Sequence, residues 1–60
     1  MNELLTETIA AQMLKLQPRT LSRWRFEGKG PAYYKIGGAI RYQLDDLSKF
    51  ALSGRVATNV

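Results

Sequence analysis

Arginines on one short stretch are the side chains best suited to chemistry in this chain. Arg19 and Arg23 are four residues apart, so a helix over this stretch would place both on one face. A guanidinium carries N–H donors in a planar fork that can bind a phosphate, or the O6 and N7 atoms of guanine. The spacing therefore predicts a helix that contacts nucleic acid.

Other kinds of chemistry lack the residues they need. The 60 residues contain no cysteine and no histidine, which excludes disulfides, Cys/His zinc sites and catalysis by those side chains. The one close acidic pair, Asp45 and Asp46, would lie about 100° apart on a helix and is typical of a first turn. We therefore expect no catalytic residue, no metal and no cofactor, and we do not expect an enzyme.

The positive charge is concentrated in the middle of the chain. Residues 15–41 contain seven Lys/Arg and one Glu, a net charge of +6, whereas the remainder contains four acidic and two basic residues, a net charge of −2. A basic middle between acidic ends indicates a surface for a polyanion, and a merely solvated surface is the alternative. The absence of a signal peptide or a long apolar run predicts a soluble, cytoplasmic protein.

The basic helix has clear boundaries in the sequence. Pro18 suits the first helical position, with Gln17 as its cap, and Gly28 ends the helix. At about 100° per residue, Leu21 and Trp24 share the side expected to pack on the core. The opposite side carries Arg19, Ser22, Arg23 and Phe26.

A preceding helix is predicted from about residue 9 to 16, after an N-cap at Thr6. Its expected inward residues are Ile9, Ala10, Met13, Leu14 and Leu16. Leu4 or Leu5, just before the N-cap, is expected to pack on the first turn of this helix. In the following turn, 15–17, we expect Leu16 to fill the gap between the helices. Two short helices joined by such a turn, the second one basic, predict a helix-turn-helix.

A β-hairpin is predicted next. Turn-forming residues 28–31 precede two aromatic and β-branched runs, 32–36 and 39–42, which Gly37 and Gly38 separate. Both glycines can take the positive φ of a primed turn. Alternation along each run predicts a core face of Tyr34, Ile36, Ile40 and Tyr42. It predicts a charged face of Tyr33, Lys35, Ala39 and Arg41.

The last predicted element is a helix over 43–54, which Gly54 ends. Its expected inward residues are Leu44, Leu47, Phe50 and Ala51. Residues 1–60 are expected to form one domain, with a core at about 4–53 and a flexible tail over 54–60.

The order of these elements resembles the small winged-helix proteins of the excisionase and AlpA-like prophage-regulator type, whose fold is related to the MerR DNA-binding domain. The resemblance covers roughly residues 4–52. It rests on Leu4-Leu5-Thr6, Ala10-Ala11, Arg19-Thr20-Leu21, Arg23-Trp24-Arg25, Glu27-Gly28-Lys29-Gly30-Pro31, Lys35-Ile36-Gly37, Ile40-Arg41-Tyr42 and Asp46-Leu47. The sequence departs from that family at four positions. Lys15 stands where the family usually has glycine, and Gln17 stands where it usually has serine. Phe26 stands where a basic residue is common, and Ala39 stands where the wing often has arginine.

This resemblance implies an α+β winged helix-turn-helix in the order helix, helix, strand, strand, helix, with a two-stranded antiparallel wing. It also implies sequence-specific binding of double-stranded DNA in a bacterial or phage setting, on the nucleoid. Members of the family steer a site-specific recombinase towards excision, or regulate prophage and mobile-element genes. A domain this small would contact one short half-site, so partners would include a recombinase or further copies of the chain.

Individual contacts can be assigned on the helix. Arg19 and Arg23 are expected to bind base edges in the major groove. Ser22 is expected at a phosphate or a base, and Thr20 either at a phosphate or bonded to its own backbone. Arg25, at the edge of the packed side, is expected either to clamp a phosphate or to form a surface ion pair. Phe26 could contact a thymine methyl or fold over the wing.

On the predicted hairpin, Gly37 and Gly38 would bring backbone N–H groups close to a phosphate or into the minor groove, although turn formation alone also explains them. Lys29, Lys35 and Arg41 are expected to bind phosphates. The alternative function is a protein-interaction module with an incidental basic surface.

Overall fold

The computed structural model describes residues 3–57, which form three helices and three strands. In chain order the elements are β1 (Leu4–Thr6), α1 (Glu7–Leu14), α2 (Pro18–Glu27), β2 (Tyr34–Ile36), β3 (Ala39–Gln43) and α3 (Leu44–Ser53). The α+β class is therefore confirmed. Residues 55–57 are exposed and lie outside the helices and strands, and the rest of the predicted tail, 58–60, is outside the described residues. No helix within 3–57 has the length and apolar character needed to span a bilayer.

The three strands form one antiparallel sheet in the order β1-β3-β2. Leu5 lies opposite Tyr42, and Thr6 lies opposite Arg41. The predicted two-stranded wing was therefore incomplete, and so was the predicted order, because a strand precedes the first helix. A three-residue strand is too short to show alternation, so only its partner across the sheet reveals it. Since β1 runs directly into α1, it joins the first helix to the hairpin.

The register of the hairpin corrects the predicted faces. Ile36 lies opposite Ala39 and Tyr34 lies opposite Arg41, and opposed residues of an antiparallel pair project to the same side. The outer face therefore contains Tyr34, Ile36, Ala39 and Arg41. The inner face contains Tyr33, Lys35, Ile40 and Tyr42. The prediction was wrong because it alternated along each run without counting across the two-residue turn.

Only the first of the two turn glycines takes a positive φ. The φ of Gly37 is 64°, and Gly38 is not among the residues with a positive φ. This is the pattern of a type II′ turn, whereas a type I′ turn would need positive φ at both positions.

One buried cluster joins the helices to the sheet. It consists of Ala10, Ala11, Leu21, Tyr42 and Leu47, each at most 1% exposed. The two alanines allow α1 to lie close to α2. Trp24 is half-buried against this cluster, and its ring lies 5.4 Å from that of Phe50, which attaches α3 to α2.

Several apolar residues that were predicted to face inward are exposed. Among them are Ile9, Met13, Leu16, Leu44 and Ala51. The sheet and α2 cover the side of α1 that carries its two alanines and Leu14, so the neighbouring apolar stripe stays open. Leu16, in the turn between the helices, is 36% exposed. A domain of this size has too little interior for every apolar side chain.

The helix ends follow local rules. Thr6 Oγ1 accepts a hydrogen bond from the backbone N–H of Ile9 at 3.2 Å, which confirms the N-cap of α1. Pro18 begins α2 after Gln17, and Gly28 ends it with a φ of 72°. The first helix ends at Leu14, earlier than predicted, because Lys15 adopts the left-handed conformation with a φ of 60°.

Candidate nucleic-acid interface

Two arginines of α2 project from the side that does not pack on the core. Arg19 and Arg23 are both exposed and lie about 40° apart around the helix axis. Leu21, on the other side, is fully buried and anchors α2. Within residues 3–57 neither guanidinium has a hydrogen bond or an ion pair with another side chain. Their donors are therefore available to a ligand.

Arg25 has a different environment, although it is two residues from Arg23. Its Nε donates to Glu7 Oε2 at 2.9 Å, and its Nη2 donates to Ser22 Oγ at 3.4 Å. Its guanidinium also lies over the ring of Tyr33, 5.8 Å from the centroid. The hydrogen bond from Arg25 to Glu7 raises the pKa of Arg25 above its ordinary value. Of the two roles predicted for Arg25, the ion pair is present in the structure, and the phosphate clamp stays a prediction.

The same carboxylate also receives a tyrosine hydroxyl. Tyr42 donates its O–H to Glu7 Oε2 at 3.4 Å, and its ring lies 6.1 Å from that of Tyr33. Burial raises the pKa of Tyr42, and the negative charge of Glu7 adds to this. Glu7, Arg25, Tyr33 and Tyr42 therefore connect α1, α2 and the hairpin, and we call them the Glu7 network.

Most of the Glu7 network was not predicted from the sequence. Glu7 stands at the start of a helix, a position that helix-dipole effects already explain, so nothing local marked it as a partner of Arg25. Tyr33 was placed on a charged outer face. The signal that could have placed it correctly was the count across the hairpin turn, which puts Tyr33 opposite Tyr42.

An open groove separates the end of α2 from the hairpin. Its volume is about 460 Å³, and its lining consists of Arg25, Phe26, Tyr33, Lys35, Gly38 and Ile40. Phe26 is 87% exposed at the edge of this groove. The Lys35 side chain, on the inner face of the hairpin, adds a positive charge to the groove beside Arg25. The last turn of α2 and the inner face of the hairpin therefore line one groove that is both basic and apolar.

The two basic residues of the hairpin are not neighbours. Lys35 is on the inner face, whereas Arg41 is on the outer face, where its Nη1 donates to the carbonyl of Ile40 at 2.7 Å. The prediction of a single charged face was therefore wrong. Gly37 and Gly38 form the exposed tip between the strands, with open space where a side chain would project.

The remaining predicted contacts lie at the ends of α2. Thr20 is half-buried in the first turn, and its backbone N–H donates to the carbonyl of Gln17 at 2.9 Å. Lys29 follows the helix, and its Nζ lies 3.3 Å from Glu27 Oε1 in an exposed ion pair. Exposed pairs of this kind contribute little to stability.

A protein-family model described as a helix-turn-helix domain matches residues 4–55. The matched range begins at β1 and continues past the end of α3, so it includes every element of the fold. None of the curated protein sequences matches the chain.

Proposed function

This chain belongs to the helix-turn-helix domain family, whose members bind DNA, and from that premise we propose that it binds double-stranded DNA sequence-specifically. In this proposal α2 lies in the major groove, and the β2–β3 hairpin lies on the adjacent backbone or in the minor groove. One observation carries the proposal above all others. Arg19 and Arg23 project side by side from a helix that is anchored behind them by a fully buried leucine, and both lack a partner within residues 3–57.

The residues around these arginines supply the phosphate contacts of the proposal. Lys35 and Lys29 bind the backbone beside α2, and the N–H groups of Gly37 and Gly38 approach it from the tip of the hairpin. Thr20 and Ser22 add hydroxyl contacts to the strand that crosses α2. Arg41 binds a phosphate from the outer face. The ion pair of Arg25 with Glu7 joins α2 to α1, and the position of its guanidinium over the Tyr33 ring joins α2 to the hairpin. In this proposal the same guanidinium also clamps a phosphate.

The biological role that we propose follows from the resemblance to excisionases, AlpA-like regulators and the MerR fold. The protein directs a site-specific recombinase towards excision, or it regulates the transcription of prophage or mobile-element genes. Because a single α2 contacts only one short half-site, tight binding requires further copies along the DNA or the recombinase itself. A recombinase gene beside the gene for this chain would favour the first role.

The test of sequence-specific binding is selection from a randomised pool of duplex DNA, followed by measurement of Kd on the selected duplex and on a scrambled one. We expect a Kd at least tenfold lower on the selected duplex. Neutralisation of about five phosphates predicts a slope of log K against log salt of about −4 to −5. Equal binding to both duplexes would contradict sequence-specific recognition, and a flat salt dependence would contradict the phosphate contacts.

A further inference from the structure

Phe26 is the most exposed large apolar side chain among residues 3–57, with 87% of its surface open to solvent. It lies in the last turn of α2, one turn beyond Arg23. Its ring is not covered by the hairpin, although both line the same groove. The fold therefore gains almost nothing from this phenyl group, since burial is what makes an aromatic ring stabilising.

Phe26 lies on the same side of α2 as the two exposed arginines. Arg19, Arg23 and Phe26 lie within an arc of about 60° around the helix axis. Along that axis Arg23 is about 6 Å from Arg19, and Phe26 is about 4.5 Å further on. In the proposed docking, with α2 in the major groove, side chains this close together face base pairs that are neighbours or next neighbours, because base pairs are spaced by about 3.4 Å.

The major groove offers one kind of apolar group to such a ring. Guanine, adenine and cytosine present hydrogen-bond donors and acceptors there, which a phenyl group cannot pair, whereas thymine presents its C5-methyl. We infer that Phe26 is a specificity-determining residue that contacts a thymine methyl one or two base pairs from the base bound by Arg23. This inference rests on the proposed function, because it requires α2 to lie in the major groove.

The decisive measurement replaces thymines of the selected duplex one at a time with deoxyuridine, which removes only the C5-methyl. For the unmodified protein we expect one thymine, on the side of the site towards the hairpin, whose replacement raises Kd about threefold to fivefold. We expect Phe26→Ala to have a higher Kd than the unmodified protein on the thymine duplex. Replacing that thymine with deoxyuridine should then leave the Kd of Phe26→Ala unchanged. That non-additivity is the signature of direct contact between the ring and the methyl.

A matched control is Leu52→Ala, which removes an apolar side chain that is 70% exposed on α3, about 200° around that helix from the Phe50 ring that contacts Trp24 of α2. This variant is expected to bind like the unmodified protein and to respond equally to the uracil replacement. Thermal unfolding of Phe26→Ala should match that of the unmodified protein, because the ring is almost unburied. A lower unfolding temperature would show that Phe26 serves the fold and would overturn the inference.

The remaining outcomes separate this inference from the proposed function. If Phe26→Ala weakens binding equally on the thymine and uracil duplexes, the ring acts through a contact other than the methyl group and the inference fails. It also fails if Phe26→Ala binds like the unmodified protein. In both cases Arg23→Ala would still lose base preference, so the proposed function would stand. If the unmodified protein has no sequence preference, the proposed function and the inference fail together.

Discussion

Glu7 and Arg25 form an ion pair that joins the start of the first helix to the last turn of the second, with 2.9 Å between Oε2 and Nε. Both side chains are only about one-quarter exposed or less, at 24% and 20%. The same carboxylate accepts the Tyr42 hydroxyl from β3. One acidic group therefore fixes the angle between α2 and the hairpin, the two elements proposed to contact DNA.

The ion pair predicts a measurable contribution to stability. Glu7→Gln removes the charge from a partly buried pair, so we expect the free energy of unfolding to fall by about 1–2 kcal/mol. Urea unfolding at pH 7 measures this change. The control is Glu27→Gln, because the pair of Glu27 with Lys29 is exposed and should contribute less than about 0.5 kcal/mol. Equal losses in the two variants would show that the Glu7 network has no special role.

Alkaline pH should destabilise the fold through Tyr42. Because the pKa of Tyr42 is raised in the folded protein, its phenol stays protonated above the ordinary value of 10.0, at which the unfolded chain loses that proton. The contribution of Tyr42 to stability is therefore complete below pH 10 and declines as the pH rises through the folded pKa. Urea unfolding from pH 8 to pH 11 should show this decline. Tyr42→Phe should show a shallower one, and an unchanged slope in that variant would contradict the assignment.

Replacement of Gly30 should destabilise the fold. The φ of Gly30 is +95°, and a Cβ there would lie 3.0 Å from Trp24 Cβ and 3.1 Å from Trp24 Cε3. We expect Gly30→Ala to lower the free energy of unfolding by about 1–3 kcal/mol, because the backbone conformation and the contact are both unfavourable. Gly38→Ala is the matched control, since Gly38 lacks a positive φ and has open space around it. A tolerated Gly30→Ala would mean that the turn before the hairpin can move away from Trp24.

Replacement of Lys15 by glycine should stabilise the fold. Lys15 caps α1 in the left-handed conformation, with a φ of 60°, and glycine adopts this conformation without the Cβ penalty. Lys15→Gly should raise the free energy of unfolding by about 0.5–1 kcal/mol, after allowing for the greater entropy of glycine in the unfolded chain. Lys15→Ala removes the same charge but keeps a Cβ, so it should give no gain. A comparable gain from alanine would assign the effect to charge rather than to φ.

Base contacts and phosphate contacts should differ in their mutational signatures. Arg23→Ala is expected to weaken binding to the selected duplex by about 1–3 kcal/mol and to relax the preference at the contacted bases. Lys35→Ala should weaken binding about equally on selected and scrambled duplexes, and it should reduce the salt slope by about one. Titrations of both variants on both duplexes at several salt concentrations make the comparison. If Arg23→Ala keeps the base preference of the unmodified protein, α2 does not contact the bases as proposed.

The sequence alone determined the helix-turn-helix, because its signals are local. Thr6, Pro18 and Gly28 mark helix ends through contacts within a few residues of themselves. The spacing of Arg19 and Arg23 against Leu21 follows from the helical repeat, so the exposed arginines and the buried leucine were correctly predicted.

Only the tertiary structure decided how these parts meet. The pairing of β1 with β3 and the contact of Glu7 with Arg25 join residues far apart in the chain, 18 positions apart in the second case. The face on which Lys35 lies depends on the register across a turn, where an error of one residue moves every side chain to the other side. Local propensity carries no information about such pairings, because their energy comes from partners that folding brings together.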